Sequence, residues 1–302
     1  MTKIKAWVNA ARLRTLPLSV SGILAGTALG HYYSEFDGVV FVLALLTTVA
    51  FQVTSNFAND YGDGVKGTDN DDRIGPKRAL QSGLLSRGQL KTGIIVAVAI
   101  DIALVMVLVY WAFGLDNMIY PLVFVMLGGA SIWAAIKYTV GKSAYGYKGM
   151  GDIFVFVFFG LLAVMGSMFL YTQYLTGLSV LPAIAIGSLS AAVLNLNNMR
   201  DHSSDKKANK NTLVVAIGME KAKKYHFALL IVAFVATLWF CMVAFSHRSG
   251  LLPVLAFVPV SAHMIKVYKT KDVEKFDPEL KKLALSTFFL AVLLYISCNN
   301  FL

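Results

Sequence analysis

Two short stretches concentrate acidic and amide side chains in a chain that is otherwise poor in charge. The first reads Asn56-Phe-Ala-Asn59-Asp60-Tyr61-Gly62-Asp63 and continues Gly-Val-Lys66-Gly67-Thr-Asp69. The second reads Asn197-Asn198-Met-Arg200-Asp201-His-Ser-Ser-Asp205. Setting Asn59 on Asn197 places Asp63 on Asp201, so both pairs lie 138 positions apart. Residues four apart share a helix face. Asn59 and Asp63 form one such row, Asn56 and Asp60 a neighbouring one, and Asn197, Asp201 and Asp205 a third if the helix runs that far. Two carboxylate rows brought face to face repel strongly unless cations lie between them. The aligned donors are all oxygens, which suits Mg2+. That ion takes one or two carboxylates and fills its shell with water and substrate phosphate oxygens, so the pattern predicts a diphosphate site. A single acidic cluster would read as solvated loop, but two in register, each led by Asn, do not.

The elements that must hold these rows are membrane helices. Of 302 residues, 57% are hydrophobic and 15% charged, with mean hydropathy +0.65. Soluble domains carry about 25% charged residues. A membrane helix needs about 20 mostly apolar residues. Nine stretches qualify, at roughly 14–33, 39–60, 92–113, 118–138, 152–172, 178–199, 225–245, 250–268 and 282–301. None alternates as barrel strands would. The N-terminal segment reads as an amphipathic lead into the first span rather than a cleaved signal. Cys241 and Cys298 lie in apolar runs and read as buried hydrophobes.

Cytoplasmic loops collect Lys and Arg. With the N-terminus inside, the even-numbered spans all end in basic loops, and Arg248 is the one exception among 27 basic residues. The expectation is therefore an all-α integral membrane protein with nine transmembrane helices, N-terminus cytoplasmic and C-terminus outside. The matched motifs at the ends of spans 2 and 6 further predict two four-helix repeats plus one extra helix. The halves fall at approximately 1–140 and 141–270, with the extra helix at 280–302, in a single domain over 1–302. The net charge of +10 follows from this topology, helped by anionic membrane lipid, and argues against nucleic acid as a partner. Asp101 falls inside the third span, where a charge costs at least about 2.5–3.5 kcal/mol, and belongs to neither motif.

The motifs Asn59-Asp60-Tyr-Gly-Asp63 and Asp201-x3-Asp205, with nine spans, resemble the UbiA superfamily of intramembrane prenyltransferases. Further stretches carry the likeness: 12–17 (RLRTLP), 59–69 (NDYGDGVKGTD), 72–78 (DRIGPKR), 145–152 (YGYKGMGD), 197–201 (NNMRD) and 210–213 (KNTL). The likeness is strongest to the menaquinone branch, whose acceptor is 1,4-dihydroxy-2-naphthoate. It implies a bacterial inner-membrane enzyme with its active site on the cytoplasmic face. Mg2+, more than one ion, would sit among Asn59, Asp60, Asp63, Asp69, Asn197, Asp201 and Asp205 and bind a polyprenyl diphosphate. The family's first motif is often N-x3-D-x3-D, whose last position is Gly67 here, so either Asp60 or Asp69 completes the first set. Asn59, Asp63, Asp201 and Asp205 are the implied catalytic residues, with Asp201 a candidate base for the acceptor hydroxyl. Lys66, Arg73, Lys137, Arg200 and Lys210 are candidates for the diphosphate, although positive-inside placement accounts for each equally well. Arg14, Tyr138, Tyr145 and Tyr147 are candidates for the aromatic acceptor and the allylic cation, with interfacial anchoring as the competing account. Alternatives are another aromatic acceptor, 4-hydroxybenzoate or homogentisate, and, from a different class, a membrane transporter, whose sites lie nearer the midplane.

Overall fold

The computed structural model describes residues 3–69, 74 and 78–299. Arg73 lies outside the described residues. An amphipathic helix α1 (Lys3–Ala11) leads through a single turn, Leu13–Thr15, into α2 (Leu16–Tyr33). There follow α3 (Gly38–Lys66), α4 (Arg87–Phe113), α5 (Ile119–Lys137), α6 (Gly151–Thr172) and α7 (Gly177–Arg200). Two short helices, α8 (His202–Lys207) and α9 (Leu213–Ile217), precede α10 (Met219–Ala244), α11 (Ser249–Lys269) and α12 (Val273–Cys298). Among the described residues, eight helices are long and apolar enough to cross a membrane.

The helix expected over 14–33 is present as α2 but is not one of those eight. Its composition explains the difference. Ser19, Ser21, Gly22, Gly26, Thr27 and Gly30 are buried, packed against neighbouring helices rather than lipid. Small residues permit that close approach. α7 is likewise central, with Ala183, Ala185, Ile186, Ala192, Leu196 and Met199 fully buried, packed between α6 and α10. By contrast α4 and α5 turn Ile95, Ile100, Met106, Trp111, Leu122, Met126 and Trp133 outward. A face so apolar and exposed is one that lipid covers.

Helices α3 and α4 begin or end beyond the apolar runs, because helical hydrogen bonding does not stop where hydrophobicity does. α3 carries the first motif in its last two turns and is terminated only at Gly67, whose φ of 73° is left-handed and suits glycine. α4 starts at Arg87 behind a capping box in which Ser86 and Gln89 exchange hydrogen bonds. Within α6, Phe156–Met165 is π-helical, a widening frequent beside functional sites. Asp101 is paired inside the bundle: Thr54 Oγ1 on α3 donates to its Oδ2 at 2.7 Å.

Candidate active site

The first motif divides between two sides of α3. Asp60 faces α1 and the segment after residue 78. It is ion-paired with Arg12, lies 3.7 Å from Arg78 Nε, and accepts from the Ala79 amide at 3.4 Å. Arg12 reaches it from a left-handed backbone position, φ 51°. Asn59 and Asp63 face the other way. Asn59 Oδ1 accepts from Thr139 Oγ1 at 3.2 Å. Asp63 Oδ1 accepts from Tyr147 Oη at 2.7 Å. That phenol has one proton, so its 2.5 Å partner Thr68 Oγ1 is the donor in the second contact. Asp69 follows Gly67 and lies 3.8 Å from Arg78 Nε.

The second motif does not form one unbroken helical row. α7 stops at Arg200, Asp201 sits at the kink with φ −92° and ψ 8°, and α8 begins at His202. The Asp205 amide still donates to Asp201 O at 2.9 Å, so the i,i+4 relation survives the bend. Arg200 is 2% exposed and grips this end. Its Nε and Nη2 donate to the two Asp201 oxygens at 2.8 and 2.7 Å, Nη2 also to Asn197 Oδ1 at 2.8 Å, and Nη1 to Asp277 Oδ1 at 2.5 Å.

The two motifs meet at Lys210. Its Nζ lies 3.5 Å from Asp63 Oδ2 and 4.0 Å from Asp205 Oδ1. Burial disfavours the ammonium, but Asp63 and Asp205 outweigh it and hold the Lys210 pKa above the ordinary lysine value. Lys66 stands 3.7 Å from the centroid of the Tyr147 ring, and Lys210 5.3 Å from it. Burial first, then the Asp63 charge, raises the Tyr147 phenol, which keeps it a donor. The cation that must separate facing carboxylates is thus supplied, in this arrangement, by a lysine.

Tyr138 and Tyr145 stand where the polar site opens into an apolar cavity of about 340 Å3 between α2, α3, α4, α5 and α6. Its lining runs from Asn59 and Tyr138 to Phe124, Phe158, Leu162 and Leu170. Tyr145 Oη donates to Ala134 O at 2.8 Å, and its ring stacks on Phe154 at 3.8 Å. The YGYKGMGD stretch is glycine-rich for packing. A Cβ at Gly146 would stand 2.6 Å from the Tyr138 carbonyl and 3.0 Å from its ring. Lys137 is the last residue of α5. Arg14 lies exposed in the turn before α2, and its near neighbour Arg12 pairs with Asp60.

Sequence reasoning missed Arg12, Arg78 and Asp152. The last is 3% exposed at the start of α6, and its Oδ1 has no hydrogen-bond partner among the described residues. The stretches at 12–17, 72–78 and 145–152 contain all three, but no spacing rule pairs Arg12 with an acid 48 residues away.

A divalent cation fits this donor set in one form only. Among the described residues, no three acidic, histidine or cysteine side chains converge as a metal cage. Asp63 and Asp205 stand instead around a gap bridged by a lysine, and Asp152 offers an unpaired buried oxygen. Such residues suit an ion that shares its shell with phosphate oxygens and water.

A helical membrane bundle with paired acid motifs and basic side chains at the mouth of an apolar cavity is the architecture of an intramembrane enzyme acting on a lipid phosphate. The chain belongs to the UbiA prenyltransferase family, which it matches over residues 19–295. It is 43% identical over 96% of its length to a 1,4-dihydroxy-2-naphthoate octaprenyltransferase of Haemophilus influenzae, covering 94% of that protein. It is 44% identical over 85% of its length to the enzyme of that name from Escherichia coli, covering 82% of it. Its fold is shared with a UbiA homolog from Archaeoglobus fulgidus solved with DMAPP and Mg2+, at a TM-score of 0.70 and 14% identity over 98% of this chain and 100% of the other.

Proposed function

We propose that the protein transfers a polyprenyl group from its diphosphate to 1,4-dihydroxy-2-naphthoate, releasing diphosphate and CO2 and giving demethylmenaquinol. The observation that carries this reading is Lys210 between Asp63 and Asp205, a charged site opening on an apolar cavity. The relatives named for that reaction support the acceptor.

Lys210 and Lys66 attract the diphosphate, with Arg73 and Lys137 as further candidates. Tyr147 holds the Asp63 carboxylate, and Arg200 holds Asp201 and Asn197. Mg2+ would be held by Asn59, Asp63, Asp69, Asn197, Asp201 and Asp205, and when bound it supplies Lewis-acid charge to the leaving group. We assign Asp69 rather than Asp60 to the first set, because Asp60 turns toward Arg12 and the Ala79 amide while the Asp69 charge acts on Lys210. The C–O bond of the donor breaks with its electron pair leaving on the diphosphate. The cation-rich site stabilises that charge. The Tyr138 and Tyr145 rings stand where the allylic cation develops. The electron-rich ring forms the new C–C bond, and loss of its carboxyl group as CO2 returns an electron pair to the ring. The apolar cavity takes the isoprenyl tail and excludes water from the cation.

In the same reading, α2 is a ninth span, the two motifs mark two four-helix repeats, and the acid motifs face the cytoplasm of a bacterial inner membrane. The test is a product assay on purified protein with geranylgeranyl diphosphate, Mg2+ and 1,4-dihydroxy-2-naphthoate, repeated with 4-hydroxybenzoate and with EDTA. Prenylated naphthoquinol with CO2 release, lost in EDTA, is expected. Product from the benzoate alone would move the acceptor; no product from folded protein would overturn the reaction class.

A further inference from the structure

The cavity wall contributed by α3 is polar along one line. Thr48, Gln52, Ser55 and Asn59 line the cavity, and Asp63 continues the row at spacings of three and four residues. This is one helix face. Seven residues separate Gln52 from Asn59, roughly 10 Å along the axis. A hydrocarbon tail gains nothing from such a face, and burying an amide against it costs free energy. The remaining lining is mostly aliphatic and aromatic, so the stripe singles out the part of the cavity built for a polar ligand.

Gln52 is fixed in place. Its Oε1 accepts from Ser19 Oγ at 2.5 Å, and its Nε2 donates to Asn56 Oδ1 at 3.2 Å. Asn56 in turn donates to the Ala11 carbonyl at 2.8 Å, tying the amide to the end of α1. A primary amide has two N–H groups and two lone pairs. These two bonds use one of each, leaving a donor and an acceptor on a side chain that borders the cavity.

We propose that Gln52, anchored by Ser19 and assisted by Ser55, binds the 4-hydroxyl of the naphthoate acceptor and selects for a dihydroxylated ring. This rests on the aromatic prenyl transfer proposed above. The acceptor lies along the α3 stripe with its reacting carbon toward Asn59 and the diphosphate, while the isoprenyl tail occupies the aliphatic wall formed by α5 and α6.

The experiment is steady-state kinetics on wild type, Gln52→Leu and Ser19→Ala, varying geranylgeranyl diphosphate and 1,4-dihydroxy-2-naphthoate separately, and then 1-hydroxy-2-naphthoate as an acceptor lacking one hydroxyl. Gln52→Leu is expected to raise the acceptor KM roughly tenfold, the loss of about one hydrogen bond. The donor KM should stay within twofold. Ser19→Ala should move the acceptor KM in the same direction by less. The monohydroxy acceptor should lose little further on Gln52→Leu, because the bond is already absent. A purely structural role would lower kcat alike for both acceptors and leave their ratio untouched, and that result overturns the inference. So does a shift in the donor KM alone, which would put the tail against the stripe. A wild type inactive on every naphthoate refutes the parent reaction and this inference with it, whereas failure of the inference alone shows on an active wild type.

Discussion

Asp63 and Asp201 occupy equivalent places in the two motifs but are held by different partners, a tyrosine and a lysine for one, an arginine for the other. Removing either carboxylate takes away charge that opposes a diphosphate but that a bound cation requires. Asp63→Ala and Asp201→Ala should each lower turnover at least about a hundredfold, as loss of a key electrostatic group does, while the proteins still elute as single folded species in detergent. Lys210→Met should act differently: it removes attraction for the leaving group and should raise the donor KM without moving the acceptor KM. Near-normal turnover in either aspartate variant would sink the two-motif site. The aspartates were legible in the sequence because an i,i+4 repeat at matched positions is visible in one dimension. The partners were not. Tyr147 meets Asp63 across 84 residues, and Arg12 meets Asp60 across 48; only tertiary packing sets such contacts.

At the level of elements, Arg200 at the end of α7 binds Asn197 and Asp201 locally and reaches Asp277 at the start of α12. Arg200 is nearly inaccessible, and its guanidinium satisfies Asp201, Asn197 and Asp277 together. Arg200→Ala leaves buried carboxylate oxygens without their donor, which costs about 3–5 kcal/mol. Asp277 is 44% exposed at its side chain, and breaking a pair with so open a partner costs about 0–1 kcal/mol. Thermal unfolding in one detergent should therefore separate the two: a large drop in Tm for Arg200→Ala and a small one for Asp277→Ala. Equal drops would mean that Asp277, not Asp201, carries the tie. From sequence, Arg200 is a candidate for the diphosphate with inside-positive placement as the competing account, because hydropathy locates a helix end but does not say whether a charge there is solvated or buried. The helix ends show the same limit. Gly67 was readable as the stop of α3, whereas the kink at Asp201 has no glycine or proline to announce it.

At the scale of the whole molecule, the basic residues and the acid motifs gather at one end of the bundle, and that asymmetry bears on how the protein lies in the membrane. Among the described residues, eight helices qualify as spans by length and composition. α2 falls short because serine, threonine and glycine replace aliphatic residues on faces that touch protein. The link between α5 and α6 lies on the same side as the acid motifs whether or not α2 crosses, because two spans separate them and Tyr147 in that link donates to Asp63. Lys142 lies in the α5–α6 link and Asn117 in the α4–α5 link, and both are exposed. Placed singly into a background with Cys241 and Cys298 replaced, Lys142→Cys should react with an impermeant maleimide only after the membrane is opened, and Asn117→Cys in intact cells. Positive-inside bias demands this order, since Lys137, Lys142 and Lys148 flank the first link and no basic residue lies between α4 and α5. The reverse labelling would place the acid motifs outside the cell, away from any soluble supply of diphosphate and magnesium, and would refute the proposed orientation. Agreement would put the mouth of the cavity at the cytoplasmic surface, where a lipid diphosphate can present its charged head to Lys210 while its tail remains in the bilayer.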